Sequence, residues 1–197
     1  MKKRHLVFLM GYKRTGKNTV GRLINDLSYG NFHEVGFADE LKRQYWSSLG
    51  MSWDRDNEDD ELKEEHRPGI INYGESMKHE KGMYHWIETA LDPFIFDKDD
   101  NKSIIVTDCR RTEEVKWMKD FMLKRHPKYA FVYDRIDPHF IAVRRPDAEK
   151  NDSDYLTHLA IKMATEEMMM INRLIKNYGS LDDLKVVIEE LYACRFK

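Results

Sequence analysis

Cysteine is scarce. Cys109 and Cys194 are the only two in 197 residues, and they show no metal or redox spacing. No disulfide is therefore expected, and a reducing cytoplasm fits. Neither sign of charge dominates: 33 basic residues face 35 acidic ones, for a net charge of −2. Nothing global in the charge argues for nucleic acid. Long hydrophobic runs are missing too. Behind the basic start Met1-Lys2-Lys3-Arg4-His5 only Leu6-Val7-Phe8-Leu9-Met10 follows, too short for a signal peptide or a membrane span. No internal repeat or low-complexity linker is present. The eight histidines are scattered without ligand spacing. No nucleophilic triad, HExxH or CxxC is found.

What is there begins at Gly11. The stretch Gly11-Tyr12-Lys13-Arg14-Thr15-Gly16-Lys17-Asn18-Thr19 follows that apolar run and precedes an amphipathic helix over residues 19–27. Strand, glycine-bounded loop, helix is the setting of a phosphate-binding P-loop. Glycines let the backbone turn so that successive N–H groups point at one anion, and the helix start adds unpaired donors. Lys17 is placed to reach the β- and γ-phosphates of ATP. The pattern G-x-x-x-x-G-K-S/T is complete except that Asn18 stands where Ser or Thr binds magnesium, with Thr19 one step later.

The rest of the chain alternates strand and helix. Residues 34–37 read as a short strand, and 38–49 as a helix with Asp39 as its N-cap. Residues 52–66 are almost wholly charged and read as a solvated, mobile, partly helical excursion. Arg67-Pro68 starts a new segment, and 82–91 reads as a helix with Trp86, Ile87, Ala90 and Leu91 inward. Residues 103–107 form the clearest buried strand, followed by a helix over 112–124 capped by Thr112. Residues 129–133 read as an extra strand or a packed loop. Residues 140–143 form the next strand, 147–154 a polar turn, 155–170 a helix, 173–177 a strand, and 181–191 a helix capped by Ser180. This order predicts an α/β, three-layer P-loop NTPase fold. A parallel sheet of about five strands is flanked by helices, with a helical acceptor-side excursion at about residues 50–97 of a single kinase domain.

In such sheets ligands bind beyond the carboxyl ends of the strands. The loop at 11–19, Asp108 with Arg110 and Arg111, and Arg144 with Arg145 all follow expected strands. Phosphoryl transfer needs positioning and neutralisation of negative charge. Asp108 suits magnesium or its water shell, with a helix N-cap as the plainer role. Arg110 and Arg111 suit an acceptor phosphate. Arg144 and Arg145 suit ATP or the transferring group, with a structural salt bridge as the alternative.

With these residues in hand, the chain resembles the deoxynucleoside monophosphate kinases of tailed phages. GYKRTGKNT resembles their G-x-K-R-S-G-K-D-T loop. FADELK (37–42), the stretch 74–91, TDCRRTEEV (107–115), AVRRPDAEKND (142–152) and NYGSLDDL (177–184) resemble further segments of that family. Animal-type phosphomevalonate kinases are the rival, through their G-K-x-x-S-G-K-D loop, an S-D-x-R-R…W-F segment and an L-K-x-Q-Y run. Both families carry Asp where this chain has Asn18. The first resemblance implies transfer of phosphate from ATP, with magnesium, to a (deoxy)nucleoside 5′-monophosphate. It implies Gly11, Lys13, Arg14, Thr15, Gly16, Lys17, Asn18 and Thr19 as ATP-binding and Lys17, Asp108, Arg110 and Arg144 as catalytic. It further implies Asn18 and Asp108 as metal-binding, and Asp39, Lys42, Arg67, Arg110 and Arg111 as acceptor-binding. The expected partners are small-molecule nucleotides, with neither nucleic acid nor membrane; a homodimer is compatible with this reading. A small-metabolite kinase and a nucleotide-binding protein without turnover are the alternatives.

Overall fold

The computed structural model describes residues 3–55, 57, 59–151, 155–167 and 173–196. Five strands, β1 (Arg4–Met10), β2 (Phe32–Val35), β3 (Ser103–Cys109), β4 (Ile136–Arg144) and β5 (Arg173–Lys176), form one parallel sheet in the order β2-β3-β1-β4-β5. This is a P-loop NTPase fold. The central strand is buried on both faces, so its run is continuously apolar rather than alternating. Leu6, Phe8 and Met10 face one side, and Val7 and Leu9 the other.

On the second side lie α1 (Lys17–Leu27), through Val20 and Ile24, and α8 (Leu181–Arg195), through Leu184, Ile188 and Leu191. On the first side lie α4 (His85–Ile95), α5 (Thr112–Met122) and α7 (Tyr155–Lys162), with Trp117 and Phe121 stacked in the core. Trp86, Ile87, Ala90 and Leu91 of α4 are all buried, as their spacing predicts. Residues 127–133 form a packed loop around a 3-10 turn, with Tyr129 buried, and not a strand. A short helix α6 (Pro146–Asn151) occupies the expected polar turn, and the end of the helix expected over 155–170 lies outside the described residues.

Three local expectations change. Asp39 is not the N-cap of α2 (Phe37–Ser48); Gly36 is, and the Asp39 carboxylate reaches back to accept from Gly36 N at 2.8 Å. Arg111, not Thr112, is the N-cap of α5. Residues 60–81 form one helix, α3 (Asp60–Lys81), running through Pro68. Asp59 starts it by accepting from Glu61 N and Leu62 N at 2.9 and 3.1 Å. Pro68 forfeits a backbone bond there. The helix continues because Ile70 and Gly74 are buried, Gly74 within van der Waals reach of Leu41 on α2. Much of the charged stretch is thus the exposed first half of an ordered helix.

Candidate phosphoryl-transfer site

The loop between β1 and α1 is built to hold an anion. Gly16 takes a left-handed conformation, φ +97°, as N-cap of α1. A side chain there would press on Asn177, whose Nδ2 donates to Thr15 O at 2.9 Å and braces the loop from the segment after β5. Thr15 is fully buried, and its hydroxyl donates to Tyr12 O at 3.0 Å. The start of α1 has no side-chain cap and no acidic residue in its first turn, so its N–H donors remain for a ligand. Lys17 lies folded into the loop, donating to Gly11 O and Tyr12 O at 2.7 Å each. The donor set fits a polyphosphate.

Near the end of β3, Asp108 holds the start of α2 from across the chain. Its Oδ1 accepts from Phe37 N at 2.9 Å and its Oδ2 from Ala38 N at 3.0 Å. Each oxygen keeps a lone pair on its far side. Asp108 is thus no helix's own N-cap residue, but it satisfies the first N–H groups of α2 and can still meet magnesium or its water shell. Asn18, exposed at the loop mouth, offers only a neutral amide oxygen.

Two cavities open from this point. One, of about 360 Å³, joins Lys13, Arg14, Gly16, Lys17 and Asn18 of the loop to Lys42 of α2, Lys63 and Arg67 of α3, and Asp108 and Arg110. The second, of about 200 Å³, shares Lys42, Lys63, Arg67, Asp108 and Arg110 with the first and runs between α2, α3 and α4. Leu41, Ile70, Met83, Trp86 and Ile87 supply its apolar walls. Away from the P-loop it is lined by Glu75, Lys78, Arg111 and Glu113. Lys78 Nζ meets Glu75 at 2.7 Å and Glu113 at 3.0 Å. Burial opposes ionisation of Glu113, but a backbone N–H and the Lys78 ammonium outweigh it and hold its carboxyl below the ordinary value.

The structure therefore brings Lys17, Asp108, Arg110, Lys42 and Arg67 together. Arg111 reaches only the far part of the acceptor cavity. Asp39 lines neither cavity; it accepts from Gly36 N at the start of α2 and pairs with Arg55 at 3.2 Å. Burial first, then the Asp108 charge, raise its carboxyl above the ordinary value. Arg144 is separated from Asp108 and Arg110. It lies in a third cavity of about 550 Å³ on the other flank of the loop, with Gly11, Tyr12, His158 and Lys162.

Sequence reasoning missed three residues. Lys63 sat inside the stretch read as mobile. Arg55, in the same stretch, donates to Thr107 Oγ1 at 2.7 Å and to Glu34 O at 3.2 Å, tying that stretch to β2 and β3. Glu114, buried in the first turn of α5, accepts from Arg110 N and Arg111 N at 2.6 and 2.8 Å and so fixes the backbone that presents both arginines. Burial, then the nearby Asp108, push its carboxyl up to about 8 despite those two bonds. No capping-box pattern signalled it, because that pattern begins with Ser or Thr and position 111 is Arg.

Comparison with solved structures gives a gluconokinase from Sinorhizobium meliloti 1021, with a TM-score of 0.43 at 12% identity over 99% of each chain. A fungal RNA kinase superposes with a TM-score of 0.44 at 13% identity, over 98% of this chain and 87% of that one. A search of curated proteins finds no match. Comparison with protein families matches residues 9–124 to phosphomevalonate kinase, a span holding the P-loop, both faces of the acceptor cavity, Asp108 and Arg110. A P-loop kinase site and a match over more than half its length give one conclusion: the chain belongs to the phosphomevalonate kinase family.

Proposed function

We propose that this kinase transfers the γ-phosphoryl group of ATP to the phosphate of a deoxynucleoside 5′-monophosphate. The observation that carries the acceptor is the cavity's passage from a cationic mouth, past apolar walls that include Trp86, to a charge-balanced far end that holds two carboxylates. Near the P-loop, Lys42, Lys63, Arg67 and Arg110 suit a phosphate, alongside Asp108 and the buried Glu114. At the far end Glu75 and Glu113 share the wall with Lys78, which is bound to both, and with Arg111. Carboxylates accept hydrogen bonds from the N–H groups of a base. The aliphatic walls between them suit a flat, apolar ring face.

In the reaction Lys17 leaves its two loop carbonyls for the phosphate oxygens. The loop N–H groups hold the β-phosphate, and Arg110 with Lys42 aligns the acceptor phosphate in line with the γ-phosphorus. Magnesium, when bound, would be held by Asn18 and Asp108 and would supply neutralisation of negative charge on the nucleotide phosphates. Asp108 holds the start of α2 in place, so the wall bearing Lys42 is fixed to the same carboxylate.

A second reading has its own support. The family match favours phosphomevalonate as acceptor, and the carboxylate opposite that substrate's phosphate would have Lys78 and Arg111 beside Glu75 and Glu113 at the far end. The match ends before residues 142–152 and 177–184, where the resemblance to nucleotide kinases lies. The test of the acceptor site is Arg110→Ala. It should raise the acceptor KM on the order of tenfold or more, one charge-assisted contact, while moving the ATP KM little. An equal rise in both would remove Arg110 from the acceptor side.

A further inference from the structure

A second group of chemically able side chains sits at the amino end of the sheet, remote from the P-loop. β1 and β4 pair in parallel with His5 beside Asp137 and Val7 beside His139. Side chains alternate along a strand, so Asp137 and His139 leave β4 on one face, and His5 leaves β1 on the same face. No spacing in the sequence joins His5 to the other two; the parallel register does.

The three donor atoms form a compact triangle. His5 Nδ1 lies 3.0 Å from His139 Nε2, Asp137 Oδ2 lies 3.1 Å from His139 Nε2, and Asp137 Oδ2 lies 3.8 Å from His5 Nδ1. A circle through points so spaced has a radius of about 2.0 Å, the zinc–nitrogen and zinc–oxygen bond length. The rings are held in place. Phe196 sets its edge against His5 at 5.2 Å and His139 at 5.1 Å, between ring centroids. The His139 side chain is 11% exposed and that of His5 14%, while Asp137, at 47%, leaves one side open to a fourth ligand.

We propose that His5, Asp137 and His139 bind a divalent transition metal, zinc foremost, which ties β1 to β4 beneath the carboxyl-terminal Phe196. Two imidazoles and one carboxylate form a borderline-soft donor set. Zinc takes such sets with a water as fourth ligand, whereas magnesium and calcium take shells of oxygen. The site lies roughly 17 Å from Met10 along β1, by strand rise, so it takes no part in phosphoryl transfer. Its effect is on the stability of the sheet.

The test uses the full chain, stripped with a chelator and titrated calorimetrically with zinc chloride. One zinc should bind per chain, with a Kd of about micromolar or tighter, and should raise Tm by several degrees. Cobalt should give the strong visible absorption of a four-coordinate ion. Asp137→Asn, at a half-exposed position outside the core, should weaken zinc binding at least about tenfold and abolish that absorption. His139→Gln should do the same if it folds. Zinc binding of equal strength in the parent and Asp137→Asn overturns the proposal. So does a weakly absorbing, six-coordinate cobalt spectrum, or the lack of a stoichiometric site.

Discussion

Lys17 carries two duties. Its ammonium satisfies Gly11 O and Tyr12 O inside the loop, and it is the cation nearest the expected phosphates. The residue is buried, not an exposed loop lysine. Lys17→Ala should therefore lower turnover on the order of a hundredfold or more and also cost about 1–3 kcal/mol of stability. Steady-state ADP release and urea denaturation read the two effects. Near-normal turnover would remove the P-loop assignment. Glu114 offers a pH test. Its carboxyl stands at about 8 in the folded chain against 4.5 ordinarily. A raised folded value favours folding while the group is protonated, and that contribution is lost as pH climbs from about 4.5 through about 8. Glu114→Gln keeps an oxygen for Arg110 N and Arg111 N but cannot ionise. Its stability should vary less across that window than the parent's; an unchanged slope in denaturation against pH would contradict the assignment.

Among the elements, α3 is the one whose local rules conflict. Pro68 lies in its interior, where it removes the bond to the carbonyl of Glu64. Burial of Ile70 and Gly74 against α2 and α4 holds the helix together regardless, with Trp86 Nε1 donating to Gly74 O at 3.1 Å. Pro68→Ala should raise stability by about 1 kcal/mol or more, seen as a higher Tm. A fall would mean that Pro68 sets a bend the acceptor wall requires. Proline and the charge run are also why α3 was illegible in the sequence. Local propensity marked a break, and only tertiary burial overrode it. β1, β3 and the P-loop were legible because both faces of a central parallel strand must be apolar and a phosphate loop needs its glycines. Whether the arginines after β3 and β4 meet depends on strand order instead. β1 lies between those strands, so Arg110 and Arg144 leave on opposite flanks of the loop. Nothing in one linear pattern states that order. The same limit hid the triangle of His5, Asp137 and His139.

At the scale of the molecule, one parallel sheet presents the phosphate loop, the Asp108 and Arg110 segment and the helices of the acceptor wall at a single end. Among the described residues, no helix is long and apolar enough to cross a membrane. In the proposed reaction the body of the acceptor is recognised by the far end of one cavity. The most direct measurement is therefore ADP release from ATP and magnesium with each of the four common deoxynucleoside 5′-monophosphates and with phosphomevalonate. The account predicts turnover of at least one deoxynucleotide and weak or no turnover of phosphomevalonate. Robust turnover of phosphomevalonate with no response to any nucleotide would contradict it.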